Sequence, residues 1–166
     1  MAVETLVSVE EYLNTSYSPD MEYVDGVLVE RNVGEWQHSL IQGNVIFRLR
    51  QKYPSVKVLP SVTSKVTETR YRVPDVAVTL RMPEGRFITE APFIAIEILS
   101  EEDRVTRLIE KLKEYAAMGV PNIWVFDPRL KQMLVFHGNS LQEIEGDTIS
   151  TGEPRLELTR EEIFQH

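Results

Sequence analysis

The central part of the chain contains a short apolar run, an amphipathic helical pattern and a second short apolar run. This order restricts the fold more than any other feature. The apolar runs are residues 93–99 and 122–126, and the helical pattern extends from about residue 102 to residue 118. Gly119 is a natural C-terminal cap for such a helix, and Pro121 prevents its continuation. The pattern predicts a βαβ unit with parallel strands and a right-handed connection.

Further strands and one more long helix surround this unit. Apolar residues at helical spacing predict a helix from residue 35 to about residue 53, and capping patterns at Ser8 and Thr159 predict a short helix near each end. The other predicted strands are residues 21–24, 27–30, 56–60, 62–66, 71–80, 132–137 and 141–144. The predicted fold class is α/β, as a mixed α+β arrangement in which a central mixed sheet is flanked by helices.

Composition limits the class of protein. The 166 residues are 42% hydrophobic and 27% charged, which predicts one globular domain over residues 1–166. The absence of cysteine excludes disulfides, zinc–thiolate sites, iron–sulfur clusters and thiol catalysis. Residues 1–4 lack the basic start of a signal peptide, and no apolar run reaches membrane-spanning length. We therefore expect a soluble, cytoplasmic protein without a membrane partner.

Two carboxylates interrupt otherwise apolar runs. Asp75 lies in Val73-Pro74-Asp75-Val76-Ala77-Val78, which is predicted to belong to the strand 71–80, and Glu97 lies in the run 93–99. A buried carboxylate is costly unless a positive group compensates for it, and a divalent cation is a common solution. The backbone carbonyl of Ile98 could supply a further oxygen ligand.

A basic side chain on the following helix completes the pattern. Lys111 lies one turn before Tyr115, from where its ammonium group could reach over the strand ends. Phosphodiester hydrolysis requires a held cation, an activated water and positive charge near the phosphorus. Asp75, Glu97 and Lys111 together therefore predict a metal-dependent site that cuts phosphodiester bonds.

Each of these residues also has an ordinary structural interpretation. Asp75 follows a proline and could be only a turn residue. Glu97 could form a buried ion pair with a basic helix residue, and Lys111 could be one of several solvated helix charges. Two tryptophans, Trp36 and Trp124, are interpreted as packing residues.

Five motifs in sequence order make the chain resemble the Uma-two family of restriction-endonuclease proteins, within the PD-(D/E)XK nuclease superfamily. The resemblance covers roughly residues 5–165, and His38 in the first long helix also matches the N-terminal pattern of that family. The motifs are Val73-Pro74-Asp75-Val76, Ile96-Glu97-Ile98-Leu99-Ser100, the helix with Lys111 and Tyr115, Gly119-Val120-Pro121, and Trp124-Val125-Phe126-Asp127-Pro128. The segment Glu22-Tyr23-Val24-Asp25-Gly26 also matches the N-terminal pattern of the family.

The resemblance implies a restriction-endonuclease-like core that binds Mg²⁺ or Mn²⁺ and cuts DNA, with two chains paired as a homodimer. It implies that Asp75 and Glu97 are metal ligands and that Lys111 is the lysine of the superfamily. Glu22 would be an additional acidic ligand or would orient water, and His38 would contact phosphate or act in acid–base chemistry. Without the resemblance, Glu22 could be a strand surface residue and His38 a plain polar position.

Two features favour a second hypothesis, that of a nuclease-fold protein that no longer cuts and serves as a binding or assembly module. A lysine two residues after the glutamate is usual in the superfamily, but Leu99 occupies that position, so activity would depend on Lys111 reaching the site. The net charge of −8 argues against tight, non-specific binding to nucleic acid. It argues less against a nuclease, because bound metal neutralises the carboxylates.

Overall fold

The computed structural model describes residues 5–31, 34–101 and 103–166. The predicted start of the central helix at Glu102 and the signal-peptide interpretation of Met1 to Glu4 lie outside these residues. The elements, in chain order, are α1 (Val9–Leu13), β1 (Met21–Val24), β2 (Val27–Glu30), α2 (Trp36–Lys52), β3 (Lys57–Pro60), β4 (Ser64–Thr67), β5 (Arg70–Arg72), β6 (Val76–Thr79), β7 (Ile94–Ile98), α3 (Val105–Met118), β8 (Asn122–Asp127), β9 (Gln132–His137), β10 (Ser140–Glu143), β11 (Thr148–Ser150), β12 (Glu157–Thr159) and α4 (Arg160–Phe164).

A six-stranded mixed sheet with the strand order β10-β9-β8-β7-β6-β3 forms the centre of the fold. Strands β7 and β8 pair in parallel with α3 between them in the chain, and the other neighbours pair antiparallel. The predicted strand–helix–strand unit with parallel strands is therefore confirmed. Gly119 caps α3 in the left-handed conformation, with φ of +102°, as its position after the helical pattern predicts.

The two long helices pack against the two faces of this sheet. All five residues of β7 are buried, because both faces of the strand are covered. Helix α2 contributes Ile41, Val45 and Leu49 to the core on the face that contains Ile94 and Ile96. Helix α3 contributes Leu112 and Tyr115 to the core on the face that contains Ala95 and Val125. The predicted mixed sheet flanked by helices is thus confirmed.

A second sheet is antiparallel and has the strand order β2-β1-β5-β4. Because of this sheet, one predicted strand is wrong. Residues 71–80 do not form a single strand, because β5 ends at Arg72 in the small sheet and β6 begins at Val76 in the central sheet. Pro74 lies in the short connection, where its missing N–H removes a hydrogen bond that a continuous strand would need. Asp75 consequently lies at the junction of the two sheets and not within a strand.

The local turn and cap signals were predicted correctly. Asp25 and Gly26 both have positive φ in the β1–β2 hairpin, with values of 50° and 94°. Ser8 accepts a hydrogen bond from the Glu11 amide at the start of α1, and Thr159 and Glu162 form a reciprocal capping box at the start of α4. The small pair of strands β11 and β12 was not predicted.

The two tryptophans have different environments. Trp124 is 1% exposed and belongs to the core, as expected. Trp36 is 64% exposed, so the interpretation of Trp36 as a packing residue within its own chain is wrong.

No helix in the described part of the chain is long and apolar enough to cross a membrane.

The cap at Gly119 provides a test of how α3 is held. Gly119→Ala should lower the free energy of unfolding by about 1–2 kcal/mol, because a side chain is disfavoured in the left-handed region. Gly146→Ala is the matched control, since Gly146 does not have a positive φ and a Cβ there would meet nothing within 4 Å. Urea denaturation followed by circular dichroism measures both values. Equal stability of the two variants would contradict the role of the cap.

Candidate active site

The side chains that the sequence singles out converge on one cavity of about 370 Å³ between the small sheet, the central sheet and helix α3. Ile98, whose backbone carbonyl was predicted to be a ligand, also lines this cavity, as does Leu99. The five predicted catalytic side chains that line it are Glu22, His38, Asp75, Glu97 and Lys111. The fold therefore brings together residues that lie up to 89 positions apart in the sequence.

Asp75 is fixed at the junction between the sheets by three partners. Its Oδ2 accepts a hydrogen bond of 2.7 Å from the Ile98 amide. Its Oδ1 lies 2.9 Å from an Arg31 guanidinium nitrogen and 3.1 Å from Nε2 of His38. The antiparallel register of β6 and β7 pairs Val76 with Ile96, and its continuation places Asp75 opposite Glu97. The two acids are therefore neighbours at one edge of the cavity.

Lys111 links the other two acids of the cavity. Its Nζ lies 2.9 Å from Oε1 of Glu97 and 3.0 Å from Oε2 of Glu22. The Tyr115 hydroxyl, one helical turn further along α3, donates a 2.6 Å hydrogen bond to the same Glu97 oxygen. Glu22 also accepts a 2.7 Å hydrogen bond from the Val73 amide. Two carboxylates from two separate strands thus contact one buried ammonium group.

These contacts decide between the structural alternatives for individual residues. The Lys111 side chain is 13% exposed, so it is not a solvated helix charge. Glu22 is 5% exposed, so it is not a surface residue of its strand. Glu97 does form the buried ion pair with a helix lysine that the sequence left open. In a single cavity, this ion pair and a functional site are compatible, because both need the same convergence of charges.

The surroundings of Asp75 and Glu97 shift the pKa values of the two acids in opposite directions. Burial raises the pKa of Glu97 to about 7, against the opposing effect of the Lys111 charge. Burial also acts to raise the pKa of Asp75, but the hydrogen bond and charge of His38, together with Lys111 and Arg31, outweigh it and lower that pKa below its usual value. Asp75 is therefore the carboxylate that stays ionised, while Glu97 is the one that is readily protonated near neutral pH.

The basic groups of the cavity remain charged because acids surround them. Burial acts to lower the pKa of Lys111, but the charges of Glu22, Glu97 and Asp75 more than compensate and raise it. For His38, burial also acts to lower the pKa, while its hydrogen bond to Asp75 and the charge of Asp75 raise it overall. Each of the acids Glu22, Asp75 and Glu97 is thus in contact with a basic side chain.

A second network, which the sequence did not reveal, holds α3 in position. Glu114 accepts 2.5 Å hydrogen bonds from both Arg72 and Arg70 of strand β5. Arg70 also binds the turn residue Asp25 at 2.7 Å. This network connects the small sheet to the same helix that carries Lys111, and it fixes the distance between Glu22 and Lys111. No local signal marked Glu114, because helical spacing places it on the side of α3 opposite Val105, Leu112 and Ala116.

Arg31 was missed for a different reason. It follows the β1–β2 hairpin, and its partner Asp75 lies 44 positions later in the chain. No short-range pattern marks such a contact, because the small sheet and the central sheet meet only in the folded molecule.

The donor set of the cavity fits a hard divalent cation in chemical type. Asp75, Glu97 and Glu22 offer carboxylate oxygens, which Mg²⁺ and Mn²⁺ prefer. The described residues contain no group of three or more His, Asp or Glu side chains arranged to hold a metal ion. Instead, Arg31, His38 and Lys111 neutralise these acids. The role of the Ile98 carbonyl stays a prediction, since the contact seen at Ile98 is made by its amide.

The buried lysine makes a prediction for stability. Lys111→Met should lower the free energy of unfolding by about 3 kcal/mol, because it leaves Glu22 and Glu97 buried without their shared cation. Lys113→Met is the matched control, since Lys113 is exposed on the same helix, and it should change stability by less than about 0.5 kcal/mol. Urea denaturation at pH 7 without added metal measures both. A loss no larger than that of the control would show that Lys111 does not stabilise the cavity.

Comparisons with known proteins show the family and the fold of the chain. The model of the family Uma2, described as "Putative restriction endonuclease", matches residues 9–162. The crystal structure of a "putative nuclease belonging to DUF820" from Anabaena variabilis has a TM-score of 0.78 at 19% identity, and the match covers 95% of this chain and 97% of that chain. This likeness shows that the fold is that of a protein described as a nuclease.

A second solved structure, the cryoEM structure of a DrdV–DNA complex, has a TM-score of 0.36 at 12% identity, covering 66% of this chain and 85% of that chain. That likeness is too slight to support an argument. No curated protein matches the sequence. Because the family model covers nearly the whole chain, the predicted family is confirmed: the protein belongs to the Uma2 family, described as "Putative restriction endonuclease".

Proposed function

We propose that the protein is a metal-dependent endonuclease that hydrolyses DNA phosphodiester bonds in the cavity around Lys111. The observation that carries this proposal is the Lys111 ammonium group, held within 3.0 Å of both Glu97 and Glu22, in a cavity that also contains Asp75. Carboxylates that can hold a cation, with a lysine beside them, can supply the positive charge that phosphodiester hydrolysis needs near the phosphorus. Membership of a family described as restriction endonucleases supports the same activity.

In this proposal Asp75 and Glu97 hold Mg²⁺ or Mn²⁺, and Glu22 and the Ile98 carbonyl are additional ligands. When bound, the cation polarises a phosphate oxygen and lowers the pKa of a water molecule. Asp75 suits this role because the cations around it keep it ionised. Tyr115 orients Glu97 by donating a hydrogen bond to Oε1.

The basic groups have separate roles. Lys111 donates a hydrogen bond from Nζ to the attacking water and offsets negative charge that develops at the phosphorus. His38 donates from Nε2 to a phosphate oxygen once DNA occupies the cavity. Arg31 neutralises a phosphate of the DNA strand that passes over Asp75. Its guanidinium group already lies beside the Asp75 carboxylate.

DNA as the substrate is compatible with an acidic chain because basic side chains line the cavity, although Glu30, Asp103 and Glu110 line it as well. Arg104 and Arg107, at the start of α3, are exposed and line the cavity beside Leu99. Phosphate contacts depend on the cations within reach of the strand more than on the net charge of the whole molecule. The proposal also includes a homodimer acting in the cytoplasm, and a cysteine-free chain is compatible with that reducing compartment.

A specific observation favours the second hypothesis, that of a nuclease-fold module that binds without cutting. The acids of the cavity are already neutralised by Lys111, Arg31 and His38. In addition, Leu99 lines the cavity at the position where a lysine is usual. If these internal cations are not displaced, a divalent cation cannot bind and hydrolysis does not occur.

Nicking of supercoiled plasmid tests the proposal. The wild type should nick in Mg²⁺ or Mn²⁺ and should stop when EDTA is added. Asp75→Asn and Lys111→Met should each lower the nicking rate at least about a hundredfold, because the first weakens the proposed metal site and the second removes positive charge near the phosphorus. Asp147→Asn and Lys113→Met are the matched controls, because the Asp147 side chain is 97% exposed and Lys113 is exposed on α3. Both should retain the wild-type rate.

Calorimetry with Mn²⁺ separates the two hypotheses. Binding of Mn²⁺ that is lost in Asp75→Asn supports the nuclease. If the wild type neither nicks plasmid nor binds the ion, the non-cutting module is the correct hypothesis. Equal nicking by the wild type, Asp75→Asn and Lys111→Met would exclude the proposed site.

A further inference from the structure

One face of the β1–β2 hairpin is apolar and lies against the cavity. The register of the hairpin pairs Glu22 with Val29 and Val24 with Val27, so these four side chains share one face, and all four line the cavity. The pair between them faces the opposite way, into a cluster with three buried tyrosines. The three valines are partly exposed and belong to none of the apolar core clusters of the described residues. We refer to Val24, Val27 and Val29 as the valine face.

The side of the cavity formed by helix α3 is basic. Arg104 directly precedes the helix, and Arg107 and Lys111 follow at spacings of three and four residues. All three line the cavity, and this spacing places them in one row along the helix. Both arginines are exposed, so they can contact a phosphate group at the rim, while Lys111 lies deeper. A row of cations on one side of the cavity therefore lies across from apolar side chains on the other.

The acids at the rim strengthen this difference between the two sides. On the α3 side, Glu110 is bound to Arg70 at 3.0 Å, and Asp103 accepts a 2.6 Å hydrogen bond from the Ser100 amide. On the hairpin side, Glu30 is exposed at the end of β2. Strands β1 and β2, all of whose residues are described, contribute no cation to the lining. Phosphate groups are therefore favoured along α3 and disfavoured along the hairpin.

The reactive groups lie at the bottom of the cavity. The Asp75 side chain is 7% exposed, that of Glu97 is 8% exposed and that of Lys111 is 13% exposed. The cavity volume of about 370 Å³ is at the lower end of the range for small-molecule sites, which is roughly 300–1,000 Å³. A cavity of this size accommodates a group such as one nucleotide, but not both strands of a duplex. A phosphate group must leave the surface of a duplex to reach these acids.

We propose that the DNA strand enters the cavity unpaired, with its phosphates along α3 and one base against the valine face. This inference rests on the proposed function and specifies its substrate class as single-stranded or locally unpaired DNA. An unpaired strand presents phosphates on one side and a free base on the other, which matches the two sides of the cavity. In a duplex the faces of the bases are covered by stacking, so the valine face would have no apolar surface to contact.

Binding of labelled oligonucleotides, measured by fluorescence anisotropy, tests the substrate class. One strand and its duplex of the same sequence are compared in EDTA and again in Ca²⁺, which prefers the same oxygen ligands. The strand should bind at least about tenfold more tightly, because a duplex must first unpair at a cost of a few kcal/mol. Charge density alone would favour the duplex. Equal or tighter binding of the duplex, or a strand that does not bind, would overturn the inference.

Variants of the valine face test where the base lies. The double variant Val27→Ala with Val29→Ala should lower affinity for the strand at least about fivefold, because a base loses its apolar contact. Val105→Ala is the matched control, since Val105 is 74% exposed and does not line the cavity. Equal strand affinity of the double variant and the control would overturn the role of the valine face. If the double variant does not fold, Val27→Phe decides, because an added ring should tighten strand binding about fivefold by stacking. An unchanged affinity in Val27→Phe would then overturn it.

Cleavage separates this inference from the proposed function. A single-stranded circle should be cut at least about tenfold faster than a relaxed duplex circle of the same sequence, because the duplex must first open. Supercoiled plasmid is still nicked, since negative supercoiling favours local opening. Equal cutting of both circles contradicts only this inference. Binding of the unpaired strand through the valine face, without cutting of any DNA, contradicts only the proposed function.

Discussion

The ammonium group of Lys111 between Glu97 and Glu22 is the interaction on which the site and much of its surroundings depend. It joins helix α3 to a strand of the central sheet and to a strand of the small sheet. Removing two carboxylates and an ammonium group from water is costly, and only close, mutual contacts offset that cost. A buried pair of this kind is a weak source of stability compared with apolar packing of the same volume. Folding alone therefore does not account for this buried cluster, and the proposed catalytic role would.

The surrounding contacts keep this charge cluster in one arrangement. Arg72 and Arg70 hold Glu114 on α3, so the helix cannot slide relative to the small sheet. Tyr115 fixes one oxygen of Glu97, and the Ile98 amide fixes one oxygen of Asp75. Since each acid is held through one oxygen by a neutral donor, the internal cations can move without loss of the position of the acid. This property suits a cavity that exchanges its own cations for a metal ion and a phosphate group.

The sequence predicted those parts of the fold that depend on short-range patterns. The strand–helix–strand unit was predictable because an apolar run, a helical repeat, Gly119 and Pro121 follow one another directly. The break between two strands at Asp75 was not predictable, because residues 73–78 look like one apolar run. In the structure, the strands on either side of the break belong to different sheets. Asp75 and Glu97 could be singled out because charges are unusual in such runs, whereas Glu22 and His38 were identified only by the family resemblance. Arg31 and Arg72 could not, because their partners lie more than 40 positions away.

Crystals soaked in Mn²⁺ and measured for anomalous scattering test most directly whether these acids form a metal site. The account predicts one strong peak in the cavity, coordinated by Asp75 and Glu97, with Lys111 moved away from at least one of its two acids. A cavity without a peak at saturating Mn²⁺, in which Lys111 keeps both contacts, would contradict the metal-dependent mechanism. The buried charges would then have a purely structural role.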